Sequence, residues 1–306
     1  MSTSGEVPVI DVRRLTKRYG RLTAVRHLDL QVRSGETFGF LGLNGAGKTT
    51  TIRVLLDLLR PTAGSASVLG HDCQADGRAV RAAIGYLPGE LGLYADMTGR
   101  QVLDLLDRLS ARRAAPGHRR ALCDRFTLSE GDLDRRLREY SSGMKRKVGL
   151  VQALQSDPPL LILDEPTEGL DPLMQEAFYD LLAEARNRGR TVFMSSHVLS
   201  EVGRVCDRIG LLREGELVLA APVDQVRRLA PRRVQVVFDA DVPPPEMGSL
   251  AGLALSSAQA RAWAFEVHGP MGPLMARLAG LPVVDLRVDE PRLEDVIIGY
   301  YRGGPR

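Results

Sequence analysis

At 306 residues, with 44% apolar and 26% charged side chains, the chain has the length of about two domains and enough apolar residues to build a core. Its net charge of +3 is too small to point to nucleic acid, and no stretch approaches the ~20 consecutive apolar residues of a membrane-spanning helix. Cys73, Cys123 and Cys206 are odd in number, far apart and without zinc-ligand spacing, and residues 1–5 lack the apolar core of a secretory signal, so a cytoplasmic chain with free thiols is expected.

Residues 9–15 and 24–32 read as strands, with Leu28, Leu30 and Val32 alternating in the second. Residues 36–41 read as a short buried strand running into Gly42-Leu43-Asn44-Gly45-Ala46-Gly47-Lys48-Thr49, which fits G-x-x-x-x-G-K-[ST]. In this pattern glycines let backbone N–H groups turn inward around a polyphosphate. Lys48 sets an ammonium against its outer oxygens, and Thr49 offers a hydroxyl to Mg²⁺. A glycine-rich turn that binds nothing would share the bare pattern. The helix expected over residues 50–59 argues for the phosphate site, because it begins with Thr50 and places Ile52, Leu55, Leu56 and Leu59 on one face before Pro61 stops it. Its partly positive N-terminus near Gly47 faces the anion.

Residues 84–87 form the next strand, followed by Pro88, Gly89 and Glu90. Thr98-Gly99-Arg100-Gln101 is a capping box opening a helix whose apolar face is Val102, Leu103, Leu106 and Leu109. Tyr140-Ser141-Ser142-Gly143-Met144-Lys145-Arg146-Lys147 leads into a further helix carrying Val148, Val151 and Leu154, which Asp157-Pro158-Pro159 ends. Ser141 can cap it, and the N–H groups of Ser142 and Gly143 offer a second anion site. The apolar run Leu160-Leu161-Ile162-Leu163 suits a central parallel strand, and ligands gather at the carboxyl ends of such strands. Asp164 is therefore placed to hold Mg²⁺, and Glu165 to take a proton from water attacking a γ-phosphate. Together with the phosphate loop, this pair points to NTP hydrolysis.

Residues 191–194 make another buried strand ending in Ser195-Ser196-His197, and a hairpin over residues 209–213 and 216–219 turns at Glu214-Gly215. The pattern changes near residues 230–231. Strands over 234–238, 262–267 and 283–288, a proline-rich loop over 241–246, and helices over 271–278 and from Pro291 to Val296 describe a small α+β appendage without a catalytic cluster. The basic cluster Arg227, Arg228, Arg232 and Arg233 reads as a solvated linker face.

This series of motifs resembles the ATP-binding cassette family over roughly residues 8–230. The family's signature, usually Leu-Ser-Gly-Gly-Gln, is matched by residues 140–144, with Ser142 in place of the first glycine and Met144 in place of the glutamine. The resemblance implies an α/β P-loop NTPase cassette: a mostly parallel sheet core, an antiparallel β subdomain, and a helical subdomain over about 91–140. It further implies ATP and Mg²⁺ as ligands, with adenine stacked on Tyr19 and His197 contacting the γ-phosphate. The loop Thr167-Glu168-Gly169-Leu170-Asp171 would touch a partner subunit. Where the family has a Mg²⁺-sensing glutamine after Pro88, this chain has Gly89. Glu90 is the expected substitute ligand, the alternative being a plain turn.

A small α+β domain over 231–306, with Leu293-Glu294-Asp295-Val296, resembles the C-terminal domain of daunorubicin-resistance exporter ATPases. The whole then implies an ATP-hydrolysing subunit that pairs with a copy or a paralogue around two ATP molecules. It would drive a separately encoded transmembrane permease from the cytoplasmic side of the membrane, exporting a drug or antibiotic. The alternatives are a cassette with a non-transport role and an importer subunit. A non-hydrolysing partner is argued against by Glu165 and His197.

Overall fold

Strand β1 (Ile10–Tyr19) pairs antiparallel with β2 (Leu22–Val32), which buries Leu28, Leu30 and Val32 as the alternation requires, and Val25 across a register shift at His27, whose φ is 44°. The computed structural model describes residues 7–243, 252–289 and 292–301. All five residues of β3 (Thr37–Leu41) are buried, and the chain then turns through the phosphate loop into α1 (Lys48–Leu55). Helix α1 stops earlier than its apolar face suggests. Asp57 adopts a left-handed φ of 52°, yet Leu56 remains in the core and Leu59 packs against it. Strand β4 (Ala63–Val68) returns to β1, and β5 (His71–Asp72) completes a sheet of order β2-β1-β4-β5.

Helix α2 (Gly77–Ala82) leads to β6 (Ile84–Leu87), after which come α3 (Gly99–Leu109), α4 (His118–Arg125) and α5 (Glu130–Leu133). The capping box at α3 is formed, with Thr98 Oγ1 accepting from the Gln101 N–H and Gln101 Oε1 accepting from the Thr98 N–H. Of its expected apolar face, Val102 and Leu103 are buried while Leu109 is exposed. Helix α6 (Ser142–Leu154) crosses β6 closely because two glycines meet there. A Cβ on Gly149 would stand 2.8 Å from the Leu87 side chain, and one on Gly85 would strike the Ala153 carbonyl.

The remaining elements of this part are β7 (Leu160–Asp164), α7 (Pro172–Asn187), β8 (Thr191–Ser196), α8 (Leu199–Val205), β9 (Arg208–Arg213) and β10 (Glu216–Pro222). They complete a six-stranded sheet of order β10-β9-β3-β8-β7-β6 in which β9, β3, β8, β7 and β6 run parallel. The turn into β10 uses positive φ at both Glu214 (51°) and Gly215 (83°), the conformation of a type I′ hairpin. Register places Leu41 beside Ser196 and Asp164 beside Ser195, so the carboxyl ends of β3, β7 and β8 lie together. Phe38 and Phe40 pack on Phe193 beneath them, with ring centroids at 5.8 and 5.3 Å. Among the described residues no helix is long and apolar enough to cross a membrane.

The chain divides into two compact units, Met1–Ala221 and Pro222–Arg306, so the break precedes the expected one at residues 230–231. The physical reason is α9 (Val223–Leu229), a helix not foreseen, which packs within the second unit against its last helix. That unit continues with β11 (Arg232–Phe238), β12 (Leu253–Gln259), β13 (Ala262–Val267), α10 (Gly272–Leu278), β14 (Val283–Asp289) and α11 (Leu293–Tyr301). Its antiparallel sheet has the order β12-β13-β11-β14, and its core centres on Trp263, whose ring lies edge-on to Phe238 at 4.5 Å. Strand β12 was also unforeseen. The proline-rich loop falls partly outside the described residues, as does Pro291. Arg233 pairs with Asp295 at 2.7 Å, whereas Arg228 and Arg232 are exposed.

Candidate nucleotide-binding and hydrolysis site

The phosphate loop joins β3 to α1 through backbone that side chains would obstruct. Gly45 and Gly47 have φ of 82° and 109°, a Cβ on Gly42 would lie 2.8 Å from the Leu212 carbonyl oxygen, and one on Gly47 would collide with that of Ala24. Leu43, Asn44 and Gly45 are exposed at the crest of the loop. Ala46 is buried and its carbonyl accepts from the Gly215 N–H at 3.1 Å. Lys48 is the first residue of α1. Its ammonium, almost fully buried, donates to the Gly42 carbonyl at 2.5 Å and pairs with Glu165 Oε1 at 3.2 Å. Thr50 is half-buried on the next position of α1.

Thr49 Oγ1 donates to Asp164 Oδ2 at 2.9 Å, and Ser195 Oγ donates to Asp164 Oδ1 at 2.5 Å, so Asp164 is held on both oxygens. A hydroxyl and a carboxylate are the hard oxygen donors Mg²⁺ prefers. Just past the end of β6, Gly89 lies beside them, and a Cβ there would come within 3.3 Å of Asp164 Oδ2. The donors present therefore fit Mg²⁺ at Thr49 and Asp164. Tyr86, on β6, has its phenol pushed up to about 12 by burial and by the Asp164 charge, so it stays neutral.

Glu165 turns the chain out of β7 with a left-handed φ of 50°. Its N–H donates to the Ser195 carbonyl at 3.2 Å and to Ser195 Oγ at 3.1 Å. The carboxylate lies between Lys48 and His197, whose Nδ1 is 2.8 Å from Oε2 and whose N–H donates to the same oxygen at 3.3 Å. His197 is half-exposed, on the solvent side of this group. Lys48, Thr49, Asp164, Glu165 and His197, read from three separate stretches of sequence, are thus brought into one cluster.

The other expected residues lie around it. Tyr19 ends β1 with its ring exposed, the Lys17 ammonium 5.1 Å from its centroid. Ser141 caps α6 by accepting from the Met144 N–H at 3.2 Å. Gly143 lies so close to the loop after Glu165 that a Cβ would be 2.8 Å from the Gly169 carbonyl oxygen, with Ser142 beside the same glycine. The signature residues thus engage α6 and Gly169, and none of their hydrogen bonds reaches the phosphate loop. Glu90 is exposed and makes no hydrogen bond or ion pair among the described residues, while Gly89 is the residue that faces Asp164.

Two residues of the site were not anticipated. Ser195 orients both acidic residues, its hydroxyl donating to Asp164 and accepting from the Glu165 N–H. Arg146 is buried under the loops that flank the acidic pair. The available signal was its place on the same helical face as Gly149, Leu150 and Ala153, a charged residue on an apolar stripe.

The family profile described as "ABC transporter" matches residues 25–168. Bacitracin transport ATP-binding protein BcrA of Bacillus licheniformis is 37% identical over 227 residues, 72% of each chain. The chain belongs to the ABC transporter family. This cassette is an ATP-binding protein of the ABC ATPase class, and it is also 40% identical to daunorubicin resistance ATP-binding protein DrrA3 of Streptomyces coeruleorubidus, over 69% of this chain and 67% of that one. An uncharacterized ABC transporter ATP-binding protein of Nostoc is 39% identical over 67% of this chain and 62% of that protein's length. Among solved structures, one described as the ATP binding subunit of an ABC transporter is 30% identical, with a TM-score of 0.67 over 72% of this chain and 92% of that one. The dimeric cassette MJ0796, 23% identical with a TM-score of 0.64 over 70% and 98%, shares the fold.

Proposed function

We propose that the cassette hydrolyses ATP at the interface of two cassettes, a copy or a paralogue, and drives a separately encoded membrane permease that exports a drug or antibiotic. The observation that carries this reading is Glu165, aimed by its left-handed backbone and by Ser195 and held between Lys48 and His197. A carboxylate so placed takes the proton of the attacking water. His197 fixes its orientation, and Lys48 stabilises charge on the outer phosphate oxygens. Mg²⁺, held by Thr49 and Asp164, would neutralise charge on the phosphates. Gly42, Leu43, Asn44, Gly45, Ala46, Gly47 and Thr50 line the phosphate side, and Tyr19 supplies an exposed ring for adenine.

Ser141, Ser142 and Gly143 act on the ATP of the opposite cassette, a role supported by their contacts to Met144 and Gly169 rather than to their own phosphate loop. The cassette MJ0796, described as dimeric, supports pairing of two cassettes. Relatives named for bacitracin transport and daunorubicin resistance support export, which would place the cassette on the cytoplasmic face of the membrane through its permease. The helical segment over 91–140 would dock that permease, and the C-terminal unit is accessory.

The test is Glu165→Gln. Its carboxamide cannot accept the proton, so hydrolysis should fall by roughly 10²–10⁴-fold while Mg·ATP binding persists and ATP traps a dimer on size exclusion. A Glu165→Gln protein that hydrolyses ATP at the normal rate, or stays monomeric with ATP, would overturn the proposal.

A further inference from the structure

Arg146 lies on the buried face of α6, 6% exposed, and its guanidinium contacts two loops at once. Nη1 donates to the Pro88 carbonyl at 3.0 Å, Nη2 to the Gly89 carbonyl at 2.8 Å, and Nε to the Glu168 carbonyl at 3.2 Å. Nη2 also lies 3.5 Å from the Glu168 carboxylate. The first loop ends on the residue that faces Asp164, and the second begins at Glu165, to whose carbonyl the Glu168 N–H donates at 3.3 Å. Each loop therefore leads from Arg146 to one member of the acidic pair.

Burying a guanidinium carries a desolvation penalty that only well-placed acceptors offset. Burial indeed lowers the affinity of Arg146 for its proton, against the opposing pull of Glu168, Asp164 and Glu165. Three of the acceptors are main-chain carbonyls, so what Arg146 holds is the path of the backbone. The planar fork matters, because it reaches adjacent carbonyls in parallel as a lysine ammonium cannot. It also holds the loop at the point where Gly89 supplies no side chain of its own.

We propose that Arg146 is a positioning residue that clamps the Pro88–Gly89 loop over Asp164 and ties it to the loop after Glu165, making the metal-binding carboxylate and the general base one rigid unit with α6. This rests on the roles proposed above for Asp164 and Glu165.

The test compares Arg146→Met, Arg146→Lys and Arg146→Gln with wild type in two assays. In amide hydrogen exchange of the nucleotide-free protein, Arg146→Met should speed exchange in residues 89–92 and 167–170 together, leaving the β-strands protected. In steady-state hydrolysis the same variant should lower kcat by about 10²-fold, the scale of an ~1 Å misplacement, and raise the Mg²⁺ needed for half-maximal rate, with KM for ATP little changed. Arg146→Lys keeps the charge but loses the fork and should resemble Arg146→Met. Arg146→Gln keeps two N–H donors and should recover part of the rate. The clamp is refuted if exchange rises in only one loop, if both loops loosen without loss of kcat, or if Arg146→Lys matches wild type. Should Arg146→Met not fold, the lysine and glutamine variants decide between the same outcomes. If wild type and Glu165→Gln prove equally inert in hydrolysis, the functional reading fails, and exchange still decides whether the two loops are clamped together.

Discussion

Lys48 and Gly89 bracket what a single residue does in this site. The Lys48 ammonium bridges the start of the phosphate loop to Glu165, so Lys48→Ala removes both a phosphate contact and the partner of the general base. Hydrolysis should fall by at least about 10²-fold and ATP should bind more weakly, with an unchanged circular dichroism spectrum; normal turnover in the folded variant would refute the assignment. Gly89 does not have left-handed backbone, so a side chain is allowed there, but its Cβ would come within 3.3 Å of Asp164 Oδ2. Gly89→Gln is therefore expected to shift Asp164 slightly and keep hydrolysis within about tenfold of wild type, a barrier change under about 1.4 kcal/mol. Glu90→Ala should leave the Mg²⁺ dependence of the rate unchanged. A Mg²⁺ titration of the two variants checks both statements. The phosphate loop, Asp164, Glu165 and His197 were legible because each follows a short apolar strand in a recognisable pattern. Which of Gly89 and Glu90 faces Asp164 was not, since β6 ends at Leu87 and strand alternation does not extend through Pro88.

Elements were legible where local physics was strong. The capping box of α3 follows from Thr98 and Gln101 alone, and so does the Ser141 cap of α6. Thr98→Ala should destabilise the start of α3 by about 1 kcal/mol, seen as faster amide exchange at Gln101 and Val102 with the sheet unaffected; unaltered exchange there would show that tertiary packing, not the cap, holds the helix end. Strand β12 was illegible for the opposite reason. Its residues from Ser256 to Gln259 are small or polar and exposed, and it exists because β13 offers a free edge. Helix α9 was masked by its arginines, which suggested a linker, while Val223 and Val226 bury its other side. The close crossing of α6 over β6 depends on Gly85 and Gly149, a pairing that only the folded chain brings together.

The whole chain is two cores rather than one, Met1–Ala221 and Pro222–Arg306, and every residue of the acidic cluster belongs to the first. ATP should therefore stabilise the first unit by linkage, about 2.7 kcal/mol at a concentration 100 times Kd. Calorimetry with and without Mg·ATP should show one transition move upward and a second stay in place; equal shifts of both would mean the units unfold as one. The sequence carries one tryptophan, and Trp263 is buried in the second core against Phe238. Indole emission from this protein consequently reports on the C-terminal unit alone, a native optical label remote in sequence from every nucleotide ligand. A spectral change on adding ATP would be direct evidence that an event at the phosphate loop is transmitted to a core that holds none of the chemistry.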